Sequence, residues 1–196
     1  MRHPSARLAL AVAPLVLLAG CGQSGAGQSG AGAIGDDATP ATATPEALVA
    51  VALSHLTPDP DGIELYTRDA VIDDVGTTSP YIGGQLRWRS EPDWSLSVRV
   101  QPAGGFDPCD ERTCEDLGDA RISWQEAGED APGYVTVFVV DDDELRSVGF
   151  EGGFQGDPRD DELFVDLDEL AAIVTDPAFA LTTTQGAVDA GDALEL

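Results

Sequence analysis

A run of strict period-two alternation constrains the fold most. In Ser95-Leu96-Ser97-Val98-Arg99-Val100 the apolar residues take one phase, and Ser97 and Arg99 take the other. That is the pattern of a strand with one buried and one wet face. Residues 63–67, 85–89 and 121–124 alternate in the same way. Residues 134–140 are apolar on both phases and read as a strand covered on both sides, and 145–150 add a weaker sixth. Turn-forming residues at Gly83-Gly84, Pro132-Gly133 and Asp141-Asp142-Asp143 separate these segments, so the connections are short and the neighbours antiparallel.

Two helices flank the strands. Thr44 suits an N-cap, Pro45 the first helical position and Glu46 the positive end of the helix. Leu48, Val49, Ala52, Leu53 and Leu56 then fall on one helical face. His55, at the end of this helix, reads as a surface residue. Near the end of the chain, Asp166 with Glu169 three residues on makes a capping box. Leu167, Leu170, Ala171 and Val174 follow on one face, and Asp176-Pro177 stops the helix. The expected fold class is α+β: an antiparallel sheet of five to seven strands with two packed helices. The globular region spans residues 45–184, long enough to bury a core without metal or crosslinks, and residues 185–196 are expected to be a flexible tail.

The N-terminus carries a different kind of signal. Arg2, His3 and Arg7 precede an apolar run over residues 8–18, shorter than the roughly 20 residues a membrane-spanning helix needs. Leu18-Ala19-Gly20-Cys21 follows. This tetrapeptide resembles the lipobox of bacterial lipoprotein precursors. The resemblance implies that residues 1–20 are a removed signal peptide and that the Cys21 thiol receives a diacylglycerol. The mature chain would then be extracytoplasmic and lipid-anchored to the cell membrane. The alternative is an ordinary secretory signal with a cysteine nearby. Residues 21–44 contain a repeated Gln-Ser-Gly-Ala-Gly unit, then Asp, Thr and Pro; nothing there can bury a core, so a disordered tether is expected. The absence of lysine and asparagine, with abundant Ala, Gly, Asp and Val, fits a GC-rich genome. The globular part is similar to uncharacterised actinobacterial lipoproteins that join a strand-rich domain to a late helix; that similarity brings no activity with it.

Charge excludes one class of partner. Ten arginines face 36 acidic residues, a net charge of −26. Nucleic acid needs Lys/Arg neutralisation of its phosphates, so no nucleic-acid partner is expected. A cationic partner is compatible with this balance, and so is a surface charged for solubility. Beyond Cys21 the cysteines are Cys109 and Cys114. Outside the cytoplasm such a pair is expected as a structural disulfide. A redox pair has two residues between its cysteines rather than the four here, and a zinc site needs further ligands.

Two constellations are candidate sites. Arg87, Arg89, Arg99 and Arg121 share the polar phase of their strands, and neighbouring strands would set them in a row able to bind an anion. The alternative is cross-strand pairing with carboxylates. The acids over residues 141–144 and 157–169 offer oxygen ligands, with Asp157, Asp160, Asp161 and Glu162 as weak metal candidates, but their spacing matches no calcium loop. No cofactor is required. No Gly-x-Ser-x-Gly, His-Glu-x-x-His or phosphate-binding loop is present, so no catalytic residue is named. The expected function is a non-catalytic binding domain on a membrane-anchored lipoprotein, directed at another cell-envelope component. The alternatives are a small-molecule or calcium-binding lipoprotein and, less favoured, a carboxylate-dependent hydrolase. An exposed patch of Trp88, Trp94 or Trp124 would favour the first reading, and a concave pocket rimmed by arginines the second.

Overall fold

The computed structural model describes residues 34–57, 59–68, 71–73, 76–78, 80–89, 94–104, 107–110, 112–129, 132–141, 143–161 and 163–196. Cys21, the signal segment and the first part of the expected tether lie outside the described residues.

The alternating segments do form one antiparallel sheet, and it has seven strands. In chain order the strands are β1 (Pro40–Thr42), β2 (Gly62–Arg68), β3 (Val71–Asp73), β4 (Gly76–Thr78), β5 (Tyr81–Trp88), β6 (Trp94–Pro102), β7 (Thr113–Leu117), β8 (Ala120–Gln125), β9 (Gly133–Val140), β10 (Glu144–Gly152) and β11 (Thr182–Thr184). The main sheet runs β2-β5-β6-β10-β9-β8-β7, while β3 pairs with β4 and β1 with β11. Gly83-Gly84 is not a turn: both residues sit inside β5, paired with β6. β7 escaped the sequence pattern because it is a mostly exposed edge strand with no apolar alternation.

Among the described residues there are three α-helices rather than two: α1 (Pro45–His55), α2 (Leu167–Thr175) and α3 (Gln185–Asp192). Thr44 caps α1 by accepting from the Ala47 N–H at 3.1 Å. Asp166 caps α2 by accepting from the Asp168 N–H at 2.9 Å. α1 and α2 pack on one side of the main sheet, where Leu86, Leu96, Val98, Val100, Ile122, Val135, Val137 and Val148 meet Leu48, Val49, Val51, Leu170, Ile173 and Val174; α3 packs on α1.

α1 explains why the ordered region extends past both expected ends. Ala47 through Leu53 are all buried, so α1 is covered all round rather than along one stripe, as a wholly apolar helix must be. The sheet covers one side. The other is covered by α3, from the expected flexible tail, and by the β1–β11 ribbon, whose first strand lies in the expected tether and whose second ends the expected globular region. Thr184 caps α3 through the Ala187 N–H at 3.2 Å. The approach is close: a Cβ on Gly191 would lie 2.6 Å from the Ala47 nitrogen. His55 is tied down as well, with Nε2 2.8 Å from Asp176 Oδ2 at the end of α2.

An ion-pair network closes one end of the core. Glu144 Oε1 accepts from Arg146 Nε at 2.6 Å, while its Oε2 accepts from the Leu181 N–H at 2.7 Å. Asp141 also pairs with Arg146, at 3.1 Å. One carboxylate therefore fastens β10 to the segment leading into β11.

Gly191→Val is expected to lower stability by about 1–3 kcal/mol, because the added side chain would push α3 off α1. Gly128→Ala, where a Cβ would meet nothing within 4 Å, serves as the control and should leave the urea midpoint nearly unchanged. Equal midpoints for the two variants would mean that α3 does not pack as described.

Candidate functional site

The helices leave the second face of the sheet to other cover. Residues directly opposite one another in an antiparallel sheet point the same way, so the register maps this outer face. One row crosses all seven strands: Tyr66, Gly83, Arg99, Ser147, Phe138, Arg121 and Asp116. The next holds Ser97, Gly149, Thr136, Ser123 and Cys114.

Part of this face is covered by the chain itself. β6 ends in the middle of the sheet and β7 lies at the far edge, and Arg112, at the end of the connection between them, lies over the outer face. The Arg112 guanidinium stands 4.9 Å from the centre of the Tyr134 ring, and Pro108 is buried. Phe138, Ser123 and Thr136 are buried there too. The Ser123 and Thr136 hydroxyls are opposite one another on neighbouring strands, yet neither has a hydrogen-bond partner, nor does buried Nη1 of Arg112. The foot of this connection is closed by the Cys109–Cys114 disulfide, with the two Cα atoms 5.4 Å apart.

The four arginines singled out in the sequence share this face but not one environment. Arg87 is exposed and neutralised: Nη2 donates to Glu64 Oε2 at 2.7 Å and to Gln85 Oε1 at 2.9 Å. Arg121 lies 3.9 Å from Asp116 and over the Phe138 ring. Arg89 sits beyond the end of β5, where it lines a cleft of about 420 Å³ with Arg87, Trp94 and Ser95. They do not form a continuous row, because Ser147 and Phe138 separate Arg99 from Arg121.

Arg99 is the distinctive one. Its Nε donates to Ser97 Oγ at 3.0 Å and to the Tyr66 hydroxyl at 3.3 Å. Its guanidinium stands 5.0 Å from the centre of the Tyr81 ring and 5.9 Å from that of Tyr66. The two rings meet edge to face at 5.4 Å. Tyr134 approaches from the covered half: a Cβ on Gly149 would lie 2.7 Å from its hydroxyl, and Gly149 is opposite Ser97. All three tyrosines of the chain thus surround one arginine. Burial disfavours the charge, but the hydrogen bond with Tyr66 and the nearby phenols outweigh it and hold the Arg99 pKa above the ordinary arginine value. Among the described residues, neither Arg99 nor Arg112 has a carboxylate partner.

The acidic candidates are dispersed. Asp157 caps a single 3-10 turn and pairs with Arg159, which holds its carboxyl below the ordinary range. Asp160 and Asp161 are exposed; Glu162 lies outside the described residues. Asp141 and Glu144 are engaged by Arg146. Among the described residues, no group of three or more His, Cys, Asp or Glu side chains is placed to hold a metal ion.

The tryptophans make no exposed patch. Trp88 and Trp124 are buried, and Trp94 stacks on Phe164 at 5.2 Å. Sequence reasoning missed Arg112 and the three tyrosines. A signal for Tyr66 was present, since it shares the polar phase of its strand with Glu64. No family model, curated protein or solved structure matches this chain. Among the described residues no helix is long and apolar enough to cross a membrane.

Replacing both Cys109 and Cys114 by Ser should lower unfolding free energy by roughly 2 kcal/mol, the loop-entropy value for so short a ring. Denaturant unfolding of oxidised protein and of the double variant measures this. Identical midpoints would mean that the crosslink does not hold the connection from β6 to β7.

Proposed function

We propose that the chain is an extracytoplasmic lipoprotein, anchored to the membrane through lipid on Cys21, whose folded part is a non-catalytic binding domain for another cell-envelope component. The observation that carries the binding role is the asymmetry of the sheet. One face is covered by helices, while the other keeps a half-buried arginine among phenols and hydroxyls with no carboxylate partner among the described residues. In a chain with 36 acidic residues, a guanidinium left without a counter-ion is a place for a ligand to supply one. The anchor rests on the lipobox resemblance at residues 18–21.

A second reading, a small-molecule-binding lipoprotein, is favoured by the tryptophans. With Trp88 and Trp124 in the core, the flat aromatic patch expected of a protein-docking surface is missing from the described residues.

Cys21→Ser is expected to shift the protein from the membrane fraction to the soluble fraction, with the folded domain intact by circular dichroism. A variant that stays with the membrane would overturn the lipid-anchor reading. For the binding role, a photo-crosslinker at Gln85 on the outer face should yield adducts with envelope material, whereas one at Glu195, past α3, should not. Equal labelling from both positions would overturn the outer face as the binding surface.

A further inference from the structure

We infer that Arg99, framed by Tyr66, Tyr81 and Tyr134, is a receptor for an oxyanion, a carboxylate or phosphate group carried by the ligand. This rests on the proposal that the outer sheet face is the binding surface, and it names the chemistry recognised there.

Three features make the arginine a receptor rather than a structural ion pair. Its inner edge is already committed. Nε is held by Ser97 and Tyr66, so the plane of the guanidinium is fixed before any ligand arrives. Its terminal amino groups have no acceptor among the described residues, and their fork matches two oxygens of a carboxylate or phosphate. The surroundings donate hydrogen bonds or are neutral: phenols, Ser97 and Ser147.

The charge pattern is the second argument. Arg87, Arg121, Arg146 and Arg159 each have a carboxylate within 4 Å. Arg99 and Arg112 have none, and they flank the same Tyr134. Arg89 also lacks a carboxylate partner among the described residues, but it is exposed; Arg99 is half-buried, where a missing counter-ion costs more. By register Glu64 lies in the row next to Arg99, two strands away, and is taken by Arg87; Glu151, opposite Tyr134, is exposed and pairs with neither arginine.

The connection from β6 to β7 supplies the third. Its end sets Arg112 over the Tyr134 ring, and the Tyr134 hydroxyl reaches Gly149, the residue opposite Ser97. Arg99 therefore lies where the open and covered halves of the face meet. A ligand oxygen there is approached by the guanidinium fork from the open half and by Tyr134 from the covered half. Tyr81 and Tyr66 stiffen the arginine by cation–π contact, which lowers the ordering cost of binding.

The test is thermal unfolding of the full chain in sodium phosphate and in sodium acetate, against sodium chloride at matched ionic strength, for the native sequence, Arg99→Gln and Arg87→Gln. The native chain should show a saturable rise of several degrees with at least one oxyanion. Arg87→Gln should keep that rise and Arg99→Gln should lose it. A rise with phosphate alone assigns a phosphate group, and one with acetate alone a carboxylate. Each shift is read against the variant's own chloride midpoint, so a destabilised Arg99→Gln remains informative. If that variant does not fold, Tyr134→Phe and Ser97→Ala replace it, and both should weaken the apparent affinity. No rise in the native chain, or an equal rise in Arg99→Gln, overturns the oxyanion site. Crosslinking from Gln85 persisting alongside either result would leave the outer face as a binding surface of different chemistry.

Discussion

The fold depends on covering α1. Seven consecutive residues, Ala47 through Leu53, are buried, and a helix apolar on every side cannot lie on a sheet with its back in water. Each buried aliphatic side chain contributes on the order of 1.5–3 kcal/mol relative to exposure, so leaving the far side of α1 open would forfeit much of the stability of a typical domain. The far side is closed by pieces from opposite ends of the folded region: β1 from before α1, and β11 with α3 from the end of the chain. Gly191 and Gly186 let α3 approach its neighbours at backbone distance.

The same arrangement fixes where a ligand can reach. With helices on one face, the chain must cover or expose the other by some different means. It does both. Phe138, Ser123 and Thr136 are buried on the part formed by β9 and β8, while on β2, β5 and β6 Glu64 and Arg87 are exposed and Arg99 is half-buried. The short disulfide ring pins the far end of the connection from β6 to β7. Electrostatics then separates the arginines. Those at the margins are neutralised locally, by Glu64, by Asp116, or by Glu115 and Asp157. The one at the boundary between the open and covered halves is held by phenols instead.

Much of the architecture was legible in the sequence. The six alternating or apolar segments, both caps at Thr44 and Asp166, and the pairing of Cys109 with Cys114 follow from local rules that tertiary structure did not override. The misses have a common cause: their elements are stabilised by partners distant in sequence. β1 and β11 are three residues each and exist only as a pair. α3 has few apolar residues, and its small ones matter because of what α1 places against them. The candidate site was half legible. Period-two phase put Arg87, Arg89, Arg99 and Arg121 on one face, but phase says nothing about which carboxylate each will meet. Only the register brings Glu64 to Arg87 and Tyr66 to Arg99, and only the connection from β6 to β7 brings Arg112 to Tyr134.

The central claim is that the Arg99 guanidinium, which has no counter-ion among the described residues, takes one from a ligand. Nitrogen-detected NMR of the arginine Nε–Hε groups, titrated with phosphate and then acetate at constant ionic strength, tests it most directly. The account predicts a slow-exchanging, protected Arg99 signal that moves saturably with one of these anions, while the signals of Arg87, Arg146 and Arg159 hold still. An Arg99 signal that stays put, or moves in step with every other arginine, would contradict it.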